Sequence, residues 1–112
     1  MAKPAGLQIS DSEWQQVSAI LQRYLLQYEV WAFGSRVKGH AKPYSDLDLA
    51  VISTTPLALP LLAEVAEAFS ESDLPWKVDL VDWATTSEQF KQVIAGQKLV
   101  IKTESKQAMS GL

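Results

Sequence analysis

The chain has 112 residues, of which 47% are hydrophobic and 21% charged, and its formal net charge is −3. This composition is typical of one folded domain and excludes wholesale disorder, while the acidic balance argues against a general nucleic-acid binder. The absence of cysteine excludes disulfides and thiolate zinc sites. No segment is apolar enough for a signal peptide or a membrane span, so we expect a cytoplasmic protein without a membrane partner.

The first two predicted elements are a helix and a buried strand. Ser10 has a Glu three residues later, which is the spacing of a capping box, and apolar residues then recur at three- and four-residue steps from Trp14 to Tyr28. Residues 30–33 form a short apolar run that ends at Gly34. Such a run is typical of a strand that is buried on both faces.

A loop, a second strand and a second long helix follow. Residues 39–44 contain Gly, His, Lys and Pro, which resist regular structure and predict the loop. Leu47–Ile52 predicts the strand, although an acid interrupts its apolar run. Thr55 and Pro56 predict the start of the helix, and the apolar residues between positions 61 and 69 supply its buried face.

The last predicted elements are a third strand and a final helix. Polar and apolar residues alternate over positions 77–83, and residues 85–96 predict a helix with a polar cap. Residues 99–101 predict either a short edge strand or an extension of that helix, and residues 102–112 predict a frayed tail. The order of elements predicts a single α+β domain over residues 1–112, with a small mixed β-sheet and helices packed on one face.

Three acids, Asp46, Asp48 and Asp79, fall within predicted strands where apolar residues are expected. Charged side chains cost stability in such places unless they are paired or bind a cation, so function is expected there. Side chains two apart on a strand share a face and lie about 6.6 Å apart along it, so Asp46 and Asp48 point the same way. Strand parity puts Asp79 on that face and Asp82 on the other, which predicts Asp79 as the third ligand.

These carboxylates predict a site for hard cations. Oxygen ligands without a nearby His or Cys cluster indicate Mg²⁺ or Mn²⁺, and the paired acids can converge on two ions about 3.5–4 Å apart. Calcium is an alternative, but the EF-hand spacing is absent. Carboxylates together with substrate phosphates are the usual ligands of Mg²⁺.

Gly34, Ser35 and Arg36 directly follow the first predicted strand and can hold a phosphate group. Because Gly34 lacks a Cβ, it lets a phosphate approach the backbone, and Ser35 and the next amides can donate hydrogen bonds to it. Arg36 can add charge, and a helix that begins at Ser35 would add a favourable potential for an anion. Taken alone, however, Gly-Ser favours an ordinary turn after a strand.

The spacing of the two motifs changes that interpretation. Ten residues, 36–45, separate Ser35 from Asp46. This pattern, in which Gly-Ser is followed after ten residues by Asp-x-Asp, resembles the signature of the DNA polymerase β-like nucleotidyltransferase superfamily. The sequences GSRxxG from Gly34 and SDLDL from Ser45 are similar to those of its small prokaryotic members, the minimal nucleotidyltransferases (MNT). Asp79 matches the third acidic strand of that family, and the resemblance runs over residues 30–83.

The resemblance implies a polymerase β palm-like fold and a defined reaction. Members move a nucleoside monophosphate from a nucleoside triphosphate, here expected to be ATP, to an acceptor hydroxyl and release pyrophosphate. The implied nucleotide-binding residues are Gly34, Ser35, Arg36 and Ser45, and the implied catalytic and metal-binding residues are Asp46, Asp48 and Asp79. Among these, Asp79 would bind the catalytic metal ion and help to activate the acceptor hydroxyl.

The resemblance also implies a partner. Larger members have an extra domain that presents the acceptor, and no such domain fits in this chain. MNT proteins are often encoded beside a small all-helical HEPN protein, a ribonuclease toxin, and the MNT protein is the antitoxin that adenylylates a HEPN tyrosine. We therefore expect a hetero-oligomer with such a partner. The alternatives are a non-catalytic antitoxin that neutralises the partner by contact, and nucleotidyl transfer to a small molecule such as an aminoglycoside.

Two loop residues near the acids have open interpretations. Tyr44 could stack on a nucleobase, or it could cover the edge of the hydrophobic core. His40 is the only histidine. A single histidine in a loop is usually a solvated surface residue, and we expect that for His40.

Overall fold

A four-stranded mixed sheet organises the chain in the computed structural model, which describes residues 2–104. The elements are α1 (Asp11–Tyr24), β1 (Glu29–Phe33), α2 (Ser35–Lys38), β2 (Leu47–Ile52), α3 (Leu59–Ser70), β3 (Val78–Asp82), a 3-10 helix (Trp83–Thr85), α4 (Glu88–Gln97) and β4 (Leu99–Lys102). The strand order is β3-β2-β1-β4. β1 is antiparallel to β2 and β4, and β2 is parallel to β3, so the predicted α+β fold with a mixed sheet is confirmed. Over residues 2–104, no helix has the length and apolar character needed to cross a membrane.

The capping box predicted for α1 is present in the structure. Ser10 Oγ accepts a hydrogen bond from the amide of Glu13 at 3.1 Å, and Glu13 Oε1 accepts one from the amide of Ser10 at 2.8 Å. These contacts satisfy two of the backbone donors that a helix start otherwise leaves unpaired. Trp14 and Leu21 are buried on the face of α1 that meets the sheet.

The helices lie on both faces of the sheet, which differs from the prediction that they pack on one. α1 and α3 cover one face, where the main core includes Val30, Leu47 and Leu49. α4 covers part of the other face, where Ile94 packs in a second cluster with Trp31, Phe33 and Ala50. Apolar residues alternate with the main-core residues on β1 and β2, so both faces of these strands need cover.

The start of α3 also differs from the prediction, and the structure decides between the two alternatives for residues 99–101. α3 begins at Leu59 rather than near Thr55, because the amide of Leu57 donates to Asp82 Oδ2 at 3.1 Å and this contact holds the preceding segment outside the helix. The strand alternative for residues 99–101 is correct, since β4 pairs with β1 at the edge of the sheet.

The predicted tail starts too early. Lys102 belongs to β4 and is 4% exposed, and its ammonium group donates to the carbonyl oxygens of Leu26 and Tyr28 at 2.7 and 2.8 Å. The prediction of a frayed tail is therefore wrong at Lys102. Residues 105–112 of the predicted tail lie outside the described residues.

Candidate active site

Adjacent strands bring the three predicted carboxylates to the same region. Asp48 in β2 is directly opposite Asp79 in β3 in the parallel register, and Asp46 immediately precedes β2. Leu47 and Leu49 are fully buried in the main core, so Asp48 points to the opposite face, where α4 also lies. The strand parity predicted from the sequence is confirmed.

Asp82 lies on the other face, as parity predicted. Its carboxylate accepts hydrogen bonds from the amides of Leu57 and Ala84, and it caps the 3-10 helix. Both bonds hold the chain around the end of β3. Asp82 therefore has a structural role at a position apart from the other three acids.

The electrostatics of Asp48 reflect this crowding. Burial, followed by the charges of Asp79 and Asp46, raises the pKa of Asp48 to about 6. The carboxylate is thus held in surroundings that disfavour its charged form. A divalent cation would favour that form, and three aspartates from neighbouring positions are a donor set suited to Mg²⁺ or Mn²⁺.

The donor set is not preassembled as a closed metal cage. Among residues 2–104, no three His, Cys, Asp or Glu side chains already converge as ligands. Asp46 and Asp79 are exposed, whereas Asp48 is half-buried. This arrangement is that of an open site, in which carboxylates supply some oxygens and substrate phosphates or water supply the rest.

Gly34 lies directly against Asp48. It has a φ of +84°, and a Cβ built on it would collide with Asp48 Oδ2 and lie 3.3 Å from Cγ. The requirement for glycine therefore has a second cause besides the one expected from the sequence. No larger residue would leave room for the Asp48 carboxylate, whether or not a phosphate is bound.

The next residue, Ser35, begins the short helix α2 that the sequence suggested. Ser35 is half-buried and follows the strand that neighbours Asp48. Its carbonyl oxygen accepts from the amide of His40 at 3.2 Å, which closes the turn. The Ser35 side chain thus stands at the end of β1, one residue after the glycine that touches Asp48.

Arg36 is placed differently from the expectation that it adds charge at the phosphate. It is 5% exposed, and its guanidinium lies 4.5 Å from the centre of the Trp76 ring. Its donors bind four carbonyl oxygens, those of Ser45 (2.8 Å), Gln8 (2.9 Å), Pro43 (3.2 Å) and Lys42 (3.3 Å). Arg36 therefore fastens the loop before β2 to the N-terminal segment, and its guanidinium is already used there.

Ser45, Tyr44 and His40 belong to the same loop. Ser45 Oγ accepts from the amide of Lys42 at 2.9 Å, so Ser45 closes a turn just before the acids. Tyr44 is 79% exposed, which is inconsistent with a role in covering the core edge, and it lines a cleft of about 640 Å³ together with Asp46 and Trp76. His40 is exposed, as expected.

One residue of the site was missed by the sequence interpretation. Gln97, the last residue of α4, accepts a hydrogen bond on its Oε1 from the amide of Gly34 at 3.1 Å. A glutamine near the end of an amphipathic helix gives no signal of such a contact. It could be found only by placing α4 on the face that carries the acids.

The comparisons with known proteins agree with this geometry. Residues 15–107 match the family model of the polymerase beta nucleotidyltransferase domain. A Haemophilus influenzae protein, named a probable protein adenylyltransferase MntA, is 55% identical over 106 residues, which cover 95% of this chain and 93% of that relative.

Solved structures show the same fold. A toxin–antitoxin complex crystallised with AMP-PNP contains a chain of 25% identity and TM-score 0.67, covering 84% of this chain and 75% of that one. A re-refined structure of a tri-AMPylated Shewanella oneidensis HEPN toxin with its MNT antitoxin matches at 24% identity and TM-score 0.59, covering 86% of this chain and 73% of that one. At 24% identity, the second structure shows a shared fold.

Proposed function

Because the chain belongs to the polymerase β nucleotidyltransferase family, we propose that it transfers AMP from ATP to a hydroxyl group of a partner protein. The partner is a small all-helical HEPN-type toxin encoded nearby, and the chain is its antitoxin. Support comes from the relative named as a probable protein adenylyltransferase and from the toxin–antitoxin complex crystallised with AMP-PNP. The cytoplasmic location stays a prediction.

One observation carries the proposal: Asp48 stands between Gly34 on one side and Asp79 on the other. Gly34 follows β1 and Asp79 lies in β3, the two strands that flank β2. A triphosphate that is held at the turn after β1 therefore approaches Asp48 from one side. An acceptor that reaches Asp79 approaches from the other side.

This arrangement suits an in-line displacement. Ser35 donates a hydrogen bond to the triphosphate, so the pyrophosphate leaves on the β1 side. The acceptor oxygen attacks the α-phosphorus from the β3 side, where the new O–P bond forms as the bond to the pyrophosphate oxygen breaks. Asp79 is exposed and in register with Asp48, so it is placed to accept the proton of the attacking hydroxyl.

Asp46, Asp48 and Asp79 would hold two Mg²⁺ or Mn²⁺ ions. When bound, such ions neutralise charge on the attacking and leaving oxygens of a displacement of this kind. The chain's own contribution is to place the carboxylates. Since the pKa of Asp48 is about 6, its ionised form predominates at neutral pH.

Catalysis explains the acids better than a surface that acts only by contact. The carboxylates of Asp46, Asp48 and Asp79 oppose one another, and burial together with the other two charges raises the pKa of Asp48, so the folded protein disfavours its charge. A surface that acts only by contact gains nothing from such opposed charges, whereas a metal-dependent reaction requires the carboxylates as ligands. Transfer to a small molecule would use the same acids, and the choice of acceptor decides between the two.

The test is incubation with α-labelled ATP, Mg²⁺ and the product of the neighbouring gene. We expect label to move to the partner with the wild-type chain and with Asp73→Asn, an exposed acid outside the site. Asp46→Asn should abolish this transfer. If an Asp46→Asn, Asp48→Asn double variant still neutralised the toxin fully, contact alone would account for the antitoxin activity.

A further inference from the structure

The contact between Gln97 and Gly34 links two parts of the chain that are 63 residues apart. α4 is fixed on the sheet by Ile94, which is fully buried, and by Phe90, whose ring meets that of Phe33 edge-on at 5.8 Å between centroids. The end of α4 is therefore held relative to β1. Gln97 extends from this fixed end to the turn that follows β1.

Gly34 is held on two sides. Asp48 occupies the space where a Cβ would stand, and Gln97 Oε1 accepts from the backbone amide. The turn has φ +84° and ψ −159° at Gly34, a conformation available mainly to glycine. Because glycine has little conformational restriction of its own, its contacts select this conformation: the carbonyl oxygen accepts from the amides of Val37 and Lys38 within the turn, and Gln97 holds the amide from outside it.

We propose that Gln97 is a positioning residue that fixes the phosphate-binding turn against Asp48. By accepting from the Gly34 amide, it sets the direction in which Ser35 leaves β1 and hence the distance between the Ser35 hydroxyl and the acids. Gln97 acts through Gly34. The inference deepens the proposed function, since it rests on the turn holding the triphosphate.

This role predicts an effect that depends on the phosphate chain. A turn that holds the outer phosphates contributes to the binding of ATP and contributes little to the binding of AMP, which lacks them. Loss of the Gln97 contact should therefore weaken the binding of ATP much more than the binding of AMP. General damage to α4 or to the sheet would weaken both ligands alike.

The experiment measures dissociation constants for ATP and for AMP, each with Mg²⁺, by calorimetry on the full chain. Gln97→Met keeps the length of the side chain but removes the acceptor, and Gln92→Met is the matched control because Gln92 is exposed on the same helix. We expect Gln97→Met to raise the Kd for ATP about five- to tenfold, the usual effect of losing one such hydrogen bond. The Kd for AMP should change less than about twofold, and Gln92→Met should change neither.

An equal rise in the Kd for ATP and for AMP, or no change in the Kd for ATP, would overturn the proposed positioning role of Gln97. If Gln97→Met does not fold, Gln97→Asn decides, since its amide is one methylene too short to reach Gly34 and the same ATP-specific loss is expected. The binding assay is also independent of AMP transfer. A wild-type chain that binds ATP but labels no partner would refute the proposed function while leaving the role of Gln97 open to this test.

Discussion

The two ends of the candidate site are built in different ways. At the nucleotide end, Gly34 is held between Asp48 and Gln97, and Ser35 and Arg36 are half-buried and buried respectively. At the acceptor end, Asp79 is exposed in β3, a strand at the edge of the sheet. One end is fixed by contacts within the chain, and the other is open.

The two ends of the site therefore suit different reactants, the nucleotide and the acceptor. A nucleotide can be bound by contacts that this chain supplies, because the turn and the acids are already fixed relative to each other. On the acceptor side, Asp79 is exposed on an edge strand, so a second molecule can reach it. Proximity and orientation of the acceptor hydroxyl, which contribute much of the rate in such reactions, would then come from the partner.

The largest effect should come from the centre of the site. We expect Asp48→Asn to lower AMP transfer about 10³-fold, because it removes a charge that opposes charge build-up during transfer. Asp82→Asn is the control: it lies one strand away on the opposite face, and asparagine can still accept from the amide of Ala84. Comparable losses in the two variants, measured as label transferred per minute, would contradict the assignment of faces.

A methyl group at the nucleotide end should be nearly as damaging. In Gly34→Ala the new Cβ collides with the Asp48 carboxylate, and a displacement of about 1 Å there can reduce transfer about 10²-fold. Gly39→Ala adds a Cβ at the same φ of +84° with open space around it, at a ψ of 14° where the strain is milder than at the ψ of −159° of Gly34. If both alanine variants lost activity equally, strain alone would explain the requirement for glycine at position 34.

A substitution of Arg36 tests whether this residue supports the loop or binds a phosphate. We expect Arg36→Met to lower the free energy of unfolding by about 2–3 kcal/mol, because four carbonyl oxygens lose their donor. Lys38→Met, in the same short helix but exposed, should leave chemical denaturation almost unchanged. A large rise in KM for ATP with unchanged stability would instead restore Arg36 to the phosphate.

The smallest predicted effect is the pH dependence of stability from Asp48. Its pKa rises from 3.8 in the unfolded chain to about 6 in the folded one, so between these values the folded state binds more protons. The contribution of Asp48 to the free energy of unfolding is fully present below pH 3.8 and is lost as the pH rises through 6. Asp48→Asn should therefore raise Tm by a few degrees at pH 7.5.

This gain should shrink to nothing near pH 4, where the wild-type carboxyl is already protonated in the folded state. Thermal denaturation at both pH values, without divalent ions, provides the measurement. A Tm of Asp48→Asn that stays below the wild type at pH 7.5 would show that the carboxylate is stabilised in the fold, contrary to the effect of its burial and of the charges of Asp79 and Asp46.

Much of the fold follows from the sequence where local patterns and packing agree. The period of two in β2 and β3 was sufficient to place Asp48 and Asp79 on one face and Asp82 on the other. The capping residues before α1 identified its start, since their hydrogen bonds are made within four residues. Such local contacts are visible in the order of residues alone.

Contacts between distant segments were not predictable in this way. The apolar stripe of α4 shows that the helix packs on something, but it does not say which face of the sheet it covers. The start of α3 depends on Asp82, 25 residues away from Leu57. The sequence favours Arg36 as a phosphate ligand because carbonyl and phosphate oxygens are both acceptors for a guanidinium, and only the folded loop brings the carbonyl oxygen of Ser45 to it.

The most direct test compares ATP binding and AMP transfer for the wild-type chain with and without its partner. We expect Mg²⁺ and ATP to bind the isolated chain with an affinity close to that in the complex, and pyrophosphate release to rise about 10²-fold or more when the partner supplies its hydroxyl. ATP binding that appears only with the partner would contradict a nucleotide end fixed by this chain. Equally fast release without the partner would contradict an acceptor end that the partner completes.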